Sequence, residues 1–83
     1  MKKKKAGIKK ALDPEVLQMA KRMKSLRVER GFTSYEAFAN EYGLSRAQYG
    51  RYEKGKDMRF SSLVKVVKAL NMTLEEFFSK GFE

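Results

Sequence analysis

Two arginines, Arg46 and Arg51, stand with Ala47 and Gln48 in a short stretch that opens at Ser45 and closes at Gly55. A guanidinium presents a fixed fork of donors, and a carboxamide presents a donor and an acceptor side by side. Such groups do recognition chemistry rather than bond-making chemistry. The types that would support catalysis are missing: there is no His, the commonest general base near neutral pH, and no Cys to act as a thiol nucleophile. Losing both also removes the commonest ligands of a transition metal, so no metal and no cofactor are expected. Carboxylates remain, 10 of them, but none falls in a recognisable acid/base pairing.

The charge distribution points the same way. Of 83 residues, 19 are basic and 10 acidic, a formal net charge of +9. Residues 1–12 hold six lysines and no acid, residues 13–43 balance, and residues 69–83 carry a net −2. The remaining excess lies in residues 44–68, where Arg46, Arg51, Lys54, Lys56, Arg59, Lys65 and Lys68 oppose only Glu53 and Asp57. Concentrated positive charge favours a polyanionic partner, because neutralised phosphates release their condensed counterions. Segment 1–12 has no apolar periodicity and reads as a flexible basic tail, for which solubility is explanation enough. The central cluster asks for more. No apolar run approaches the roughly 20 residues of a membrane-spanning helix. Residues 6–10 are also not the hydrophobic stretch that would make Met1–Lys5 part of a signal peptide. A soluble, cytoplasmic chain with no membrane partner is expected.

These residues need a scaffold, and hydrophobic period supplies one. Asp13-Pro14-Glu15 has the make-up of a helix start, with Asp capping, Pro in the first turn and Glu at the positive dipole end. Val16, Met19, Ala20, Met23 and Leu26 then recur at helical steps up to a stop at Gly31. Thr33 and Glu36 read as a capping box for a second helix that buries Phe38, Ala39 and Tyr42 before Gly43. Ser45 and Gln48 repeat that pattern at the start of a third helix over about residues 45–54. Leu63, Val66, Val67 and Leu70 mark a fourth, and Thr73 with Glu76 caps a short fifth whose Leu74, Phe77 and Phe78 face inward. The result is an all-α domain over residues 13–83. The joint after Gly43 is so short that the second and third helices must turn sharply, the geometry of a helix-turn-helix over about residues 34–55.

On a wheel of about 100° per residue, Tyr49, Tyr52 and Glu53 share the inner side of the third helix, and both tyrosines read as core. Ala47, Gly50, Arg51 and Lys54 point outward, with Arg46 and Gln48 on the flanks. A mid-helix Gly costs about 1 kcal/mol relative to Ala; a face that must approach a partner closely would account for Gly50, and plain tolerance would too. A lone inner carboxylate is expensive, so Glu53 needs a cation, and Arg27, four residues before Gly31, is placed to supply it.

The order and spacing of several motifs resemble one family over roughly residues 20–78. Leu26-Arg27-x-x-Arg30-Gly31, Phe38-Ala39-x-x-Tyr42-Gly43-Leu44-Ser45 and Arg51-Tyr52-Glu53-Lys54-Gly55-Lys56 are similar to the Xre/Cro, or lambda repressor-like, repressors of phages and bacteria. The ending, Leu63-x-x-Val66-x-Lys68-Ala69-Leu70-Asn71-Met72-Thr73-Leu74-x-Glu76-Phe77-Phe78, is similar to that family's last two helices. The resemblance implies a five-helix bundle whose third helix enters the DNA major groove. Base contacts would come from Arg46, Ala47, Gln48 and Arg51. Tyr35, Lys54, Lys56 and Arg59 would hold the DNA backbone, and an Arg27–Glu53 ion pair would join helices one and three. This sequence departs from the family in three places. One extra residue lies between Gly31 and Phe38, Tyr35 stands where Gln is frequent, and Arg59 stands where a small cap or Pro is usual.

The chemistry of the outer face agrees with that implication. Arg matches the O6 and N7 of guanine, Gln matches adenine, and an Ala methyl packs on the thymine methyl. Gln48 has a second explanation, because its side chain can complete the Ser45 cap. The expected function is a sequence-specific regulator of transcription, a repressor, that binds double-stranded DNA as a homodimer formed in solution or on the DNA. Phe82 and the flank of Phe77 and Phe78 are candidate dimer contacts. The alternative is an antitoxin that binds a toxin partner as well as DNA, which a small toxin-like reading frame beside the gene would favour. A nucleic-acid-processing enzyme would need metal ligands that this chain does not assemble.

Overall fold

Five helices follow in the order that the periodicities predict: α1 Pro14–Glu29, α2 Tyr35–Glu41, α3 Arg46–Glu53, α4 Phe60–Ala69 and α5 Leu74–Phe77. The computed structural model describes residues 13–82, so the expected basic tail, residues 1–12, lies outside the described residues. Met23 and Leu26 of α1, Phe38 and Ala39 of α2, Tyr49 of α3, Leu63, Val66 and Val67 of α4, Leu70, and Phe77 of α5 form one buried cluster. Each helix therefore contributes an apolar face to a shared core, which burial of apolar area stabilises. Val16, at the start of the α1 stripe, is only half-buried.

One hydrogen-bond pattern ends the four longer helices. At the end of α2 the Leu44 N–H donates to the Ala39 carbonyl at 2.8 Å and the Gly43 N–H to the Asn40 carbonyl at 3.4 Å. This is the Schellman arrangement, and it needs a residue with positive φ, which Gly43 supplies at 69°. The same two bonds close α1 and α3 around Gly31 and Gly55, and close α4 around Asn71 at φ 59°.

The starts are less uniform than the sequence suggests. Asp13 stands at the N-cap of α1 without a side-chain cap bond. Ser34, not Thr33, caps α2, accepting from the Ala37 N–H at 3.1 Å. Phe32 is held at both ends, its N–H on the Arg27 carbonyl and its own carbonyl on the Arg27 guanidinium, and the chain uses Thr33 to reach α2. Ser45 caps α3 by accepting from the Gln48 N–H at 3.3 Å, but the return bond from the Gln48 side chain is absent. A complete capping box occurs at Thr73 and Glu76.

Charged side chains also tie the bundle together. Arg22 of α1 donates to the carbonyls of Phe77 at 2.7 Å and Glu76 at 3.0 Å, and Arg30 donates to the Leu70 carbonyl at 2.9 Å. Both guanidiniums meet the carbonyl ends of later helices, where peptide acceptors lack helical partners and the dipole is negative. Two aromatic expectations need correction. Tyr42 is 43% exposed, since it is the C-cap of α2, and its ring covers Phe32 and Phe38 from outside. Phe78 is 41% exposed and Phe82 is half-buried; Phe78 rests edge-on against Phe77, and Phe82 lies over it with centroids 4.9 Å apart.

Candidate nucleic-acid interface

The two faces of α3 do different things. Inward, Tyr49 is 1% exposed and its ring lies 5.1 Å from that of Phe38, so α3 is seated on α2 through an aromatic pair. Outward, Arg46, Ala47, Gln48, Arg51 and Lys54 are all exposed. Lys56 and Arg59 are exposed as well, Lys56 in the turn after α3 and Arg59 at the N-cap of α4. Six of these seven residues are cationic or carry a carboxamide, so the surface suits a polyanion lined with hydrogen-bonding groups.

Arg27 and Glu53 clamp this helix to α1. The Arg27 Nε donates to Glu53 Oε2 at 2.8 Å and Nη2 donates to Oε1 at 2.9 Å, a bidentate pair. The third nitrogen, Nη1, donates to the Phe32 carbonyl at 2.7 Å. Only 5% of the Arg27 side chain and 7% of the Glu53 side chain are exposed, so each charge relies on the other. The carboxylate, hydrogen-bonded to it, raises the Arg27 pKa further above its ordinary value. Thus the turn after α1, the last residue of α3 and the core meet at one guanidinium.

The Tyr49 hydroxyl lies in the same buried patch, close to Glu53 and Arg27 but without a hydrogen bond of good geometry to either. Burial first, and the Glu53 carboxylate second, push its phenol well above the ordinary 10.0. An unfolded tyrosine releases its proton near pH 10 while the folded one keeps it, so above that pH the native state binds more protons and stability falls as pH rises. Tyr49→Phe is expected to stay within about 1 kcal/mol of the parent at pH 8, because it deletes an unpaired hydroxyl. It should also lose less stability between pH 8 and about pH 11. Urea unfolding at the two pH values checks this, and equal alkaline losses in both proteins would contradict it.

Other positions depart from the wheel or escaped it. Gly50 is on the outer side of α3 yet buried, because the ring of Tyr35, the first residue of α2, lies across it. Tyr35 is itself half-buried and packs against the core. Arg59 and Gln48 line one groove with Tyr52, Asp57, Met58 and Ser62, so the loop after α3 borders the Gln48–Tyr52 edge of that helix. Lys65 lines an adjoining groove with Ser45 and Gln48. The sequence marked Lys65 only as part of a charged segment, since nothing in it tells which side of α4 borders α3. Among the described residues no cluster of His, Cys, Asp or Glu could hold a metal ion, and no helix is long and apolar enough to cross a membrane.

A sharply jointed helix pair with its second member exposed and basic is a helix-turn-helix, and the helix-turn-helix family model matches residues 23–77. The chain belongs to that family, in its Xre/lambda repressor-like group, a class of DNA-binding regulators of transcription. Among individual proteins, it is similar to the plasmid copy control protein CopR of Streptococcus agalactiae, 43% identical over 51 residues. That match covers 60% of this chain, which spans only 55% of the length of CopR. The control protein C.MunI of a Mycoplasma species is 34% identical over 64 residues, 76% of this chain and 86% of that protein. Among solved structures, the restriction-modification controller C.AhdI from Aeromonas hydrophila superposes with a TM-score of 0.70 at 27% identity, covering 80% of this chain and 100% of that one. The wild-type restriction-modification controller C.Esp1396I gives 0.71 at 22% identity, over 81% and 87%, a likeness of fold.

Proposed function

We propose that this chain is a sequence-specific repressor that lays α3 in the major groove of double-stranded DNA and binds without carrying out a reaction on it. The observation that carries the reading is the division of α3. Its inner side is fixed by Tyr49 and the Arg27–Glu53 pair, and its outer side leaves Arg46, Ala47, Gln48 and Arg51 exposed. Base edges are read by the first two turns, and Lys54, Lys56, Arg59 and the Tyr35 hydroxyl hold phosphates. Recognition by rigid elements keeps donors aimed at base edges, which is what discrimination requires. The protein acts as a homodimer on half-sites about one helical turn apart, with Phe78 and Phe82 at the contact. Such a protein works in the cytoplasm, where the DNA is. The relatives' roles in plasmid copy control and restriction-modification control favour a target on a mobile element. A toxin partner is the rival, and co-purification with the product of a neighbouring toxin-like gene would establish it.

Selection of bound duplexes from a random library tests the central claim, and a palindromic consensus is the expected result. Affinity for that consensus should fall linearly in a log–log plot against salt, by about 0.9 per phosphate contacted. Deleting residues 2–10 should flatten the slope and leave the consensus unchanged, because phosphate contacts carry no sequence information. An unaltered slope would take the tail out of the interface. A library that yields no consensus would refute sequence-specific binding.

A further inference from the structure

Gly50 is buried on the outer side of a helix whose other outward residues are exposed. A Cβ built there would stand 2.6 Å from Tyr35 Cε1, 2.9 Å from Cζ and 3.1 Å from the hydroxyl oxygen. The ring thus lies in the space that a side chain at position 50 would fill. On the wheel that position lies about 40° from Arg46 and about 60° from Ala47, inside the arc assigned to base reading. From the ring of Tyr35 seated on Gly50 we infer that Tyr35 is a specificity-determining residue of the recognition surface, and that Gly50 is the residue that admits it. The inference rests on the proposal that α3 reads DNA.

The chemistry favours one kind of base contact. The ring is apolar and half-buried, packed against the core on one side and seated over Gly50 on the outer side of α3. An apolar group at a base edge in the major groove is matched by the C5-methyl of thymine. A tyrosine whose only task was a phosphate bond would need its hydroxyl alone. The docked ring instead takes the place of a helix-three side chain, supplied from α2. This arrangement also gives mid-helix Gly50 its reason, because any side chain there would displace the far end of the Tyr35 ring.

Four variants separate these roles, read by library selection, by titration of the selected duplex and by thermal melting. Gly50→Ala should melt at or above the parent, since Ala is the better helix former and the atoms it meets are the tip of a side chain that can swing. It should nevertheless bind the parent's site about tenfold more weakly and relax the choice at one thymine-bearing base pair. Tyr35→Ala should relax the same base pair by a similar factor. The double variant should lose about as much as Tyr35→Ala alone rather than the product of the two losses, because Gly50→Ala acts by displacing the same ring. Tyr35→Phe should keep the parent's preference. Three results would overturn the inference: a Gly50→Ala protein that melts well below the parent, losses that multiply in the double variant, or a Tyr35→Phe protein that weakens all sequences as much as Tyr35→Ala does. If the parent itself selects no consensus, the DNA-reading proposal fails first and this inference goes with it.

Discussion

Arg27→Ala is expected to destabilise the domain by about 3–5 kcal/mol, the usual effect of leaving one member of a buried ion pair charged and alone. The loss has two parts. The Glu53 carboxylate, 7% exposed, loses both guanidinium bonds and keeps its charge in a buried site. The Phe32 carbonyl loses the bond that pins the turn between α1 and α2. Glu53→Ala removes only the first set of partners, so it should be the milder of the two. A domain of this size commonly holds only about 5–10 kcal/mol in total, so Arg27→Ala should be partly unfolded near body temperature. Replacing both residues by apolar ones should cost less than the two single losses added together, because no unpaired charge remains. Arg27→Lys should not restore the parent, since an ammonium cannot reach two carboxylate oxygens and a carbonyl with a planar fork. Urea unfolding of the five proteins decides the matter. Near-neutral single variants would mean that the pair does not hold α3 in place.

Arg46→Ala and Arg51→Ala should each weaken binding to the selected duplex by about 1–3 kcal/mol and loosen the choice at one base pair. Neither side chain has a hydrogen bond or ion pair among the described residues, and both are exposed. Their removal should therefore change stability by no more than about 0.5 kcal/mol. Lys56→Ala should behave differently, weakening selected and scrambled duplexes alike and lowering the salt slope by about one contact. Comparing each variant on both duplexes, with melting curves alongside, separates reading from holding. If the arginine variants also lose affinity uniformly, the outer face of α3 is a phosphate-binding surface and base reading lies elsewhere.

Much of the fold was legible because local rules govern it. Apolar residues at helical steps mark all five helices, and a positive-φ residue must follow the end of each longer one, which makes Gly31, Gly43 and Gly55 readable as stops. The division of α3 into a tyrosine side and an arginine side follows from the same period. Errors arose where two local solutions were nearly equal. Thr33 and Ser34 are both competent caps, and the choice fell to Ser34 because Phe32 is held from outside the segment, by Arg27. Tyr42 and Phe78 have the composition of core residues, but they sit at helix ends where the backbone turns one side of the ring outward.

By itself, then, the sequence determined the helices, their stops, a basic outer face on the third of them, and the absence of the side chains most used in catalysis. Tertiary structure alone decided which groups from distant segments meet. It brought the Arg22 and Arg30 guanidiniums to the carbonyl ends of α5 and α4, set Lys65 beside Gln48, and laid Tyr35 across Gly50. Helical period gives the direction of a side chain about its own axis. It does not give the distance or angle to a neighbouring helix, which the packing of the whole core sets.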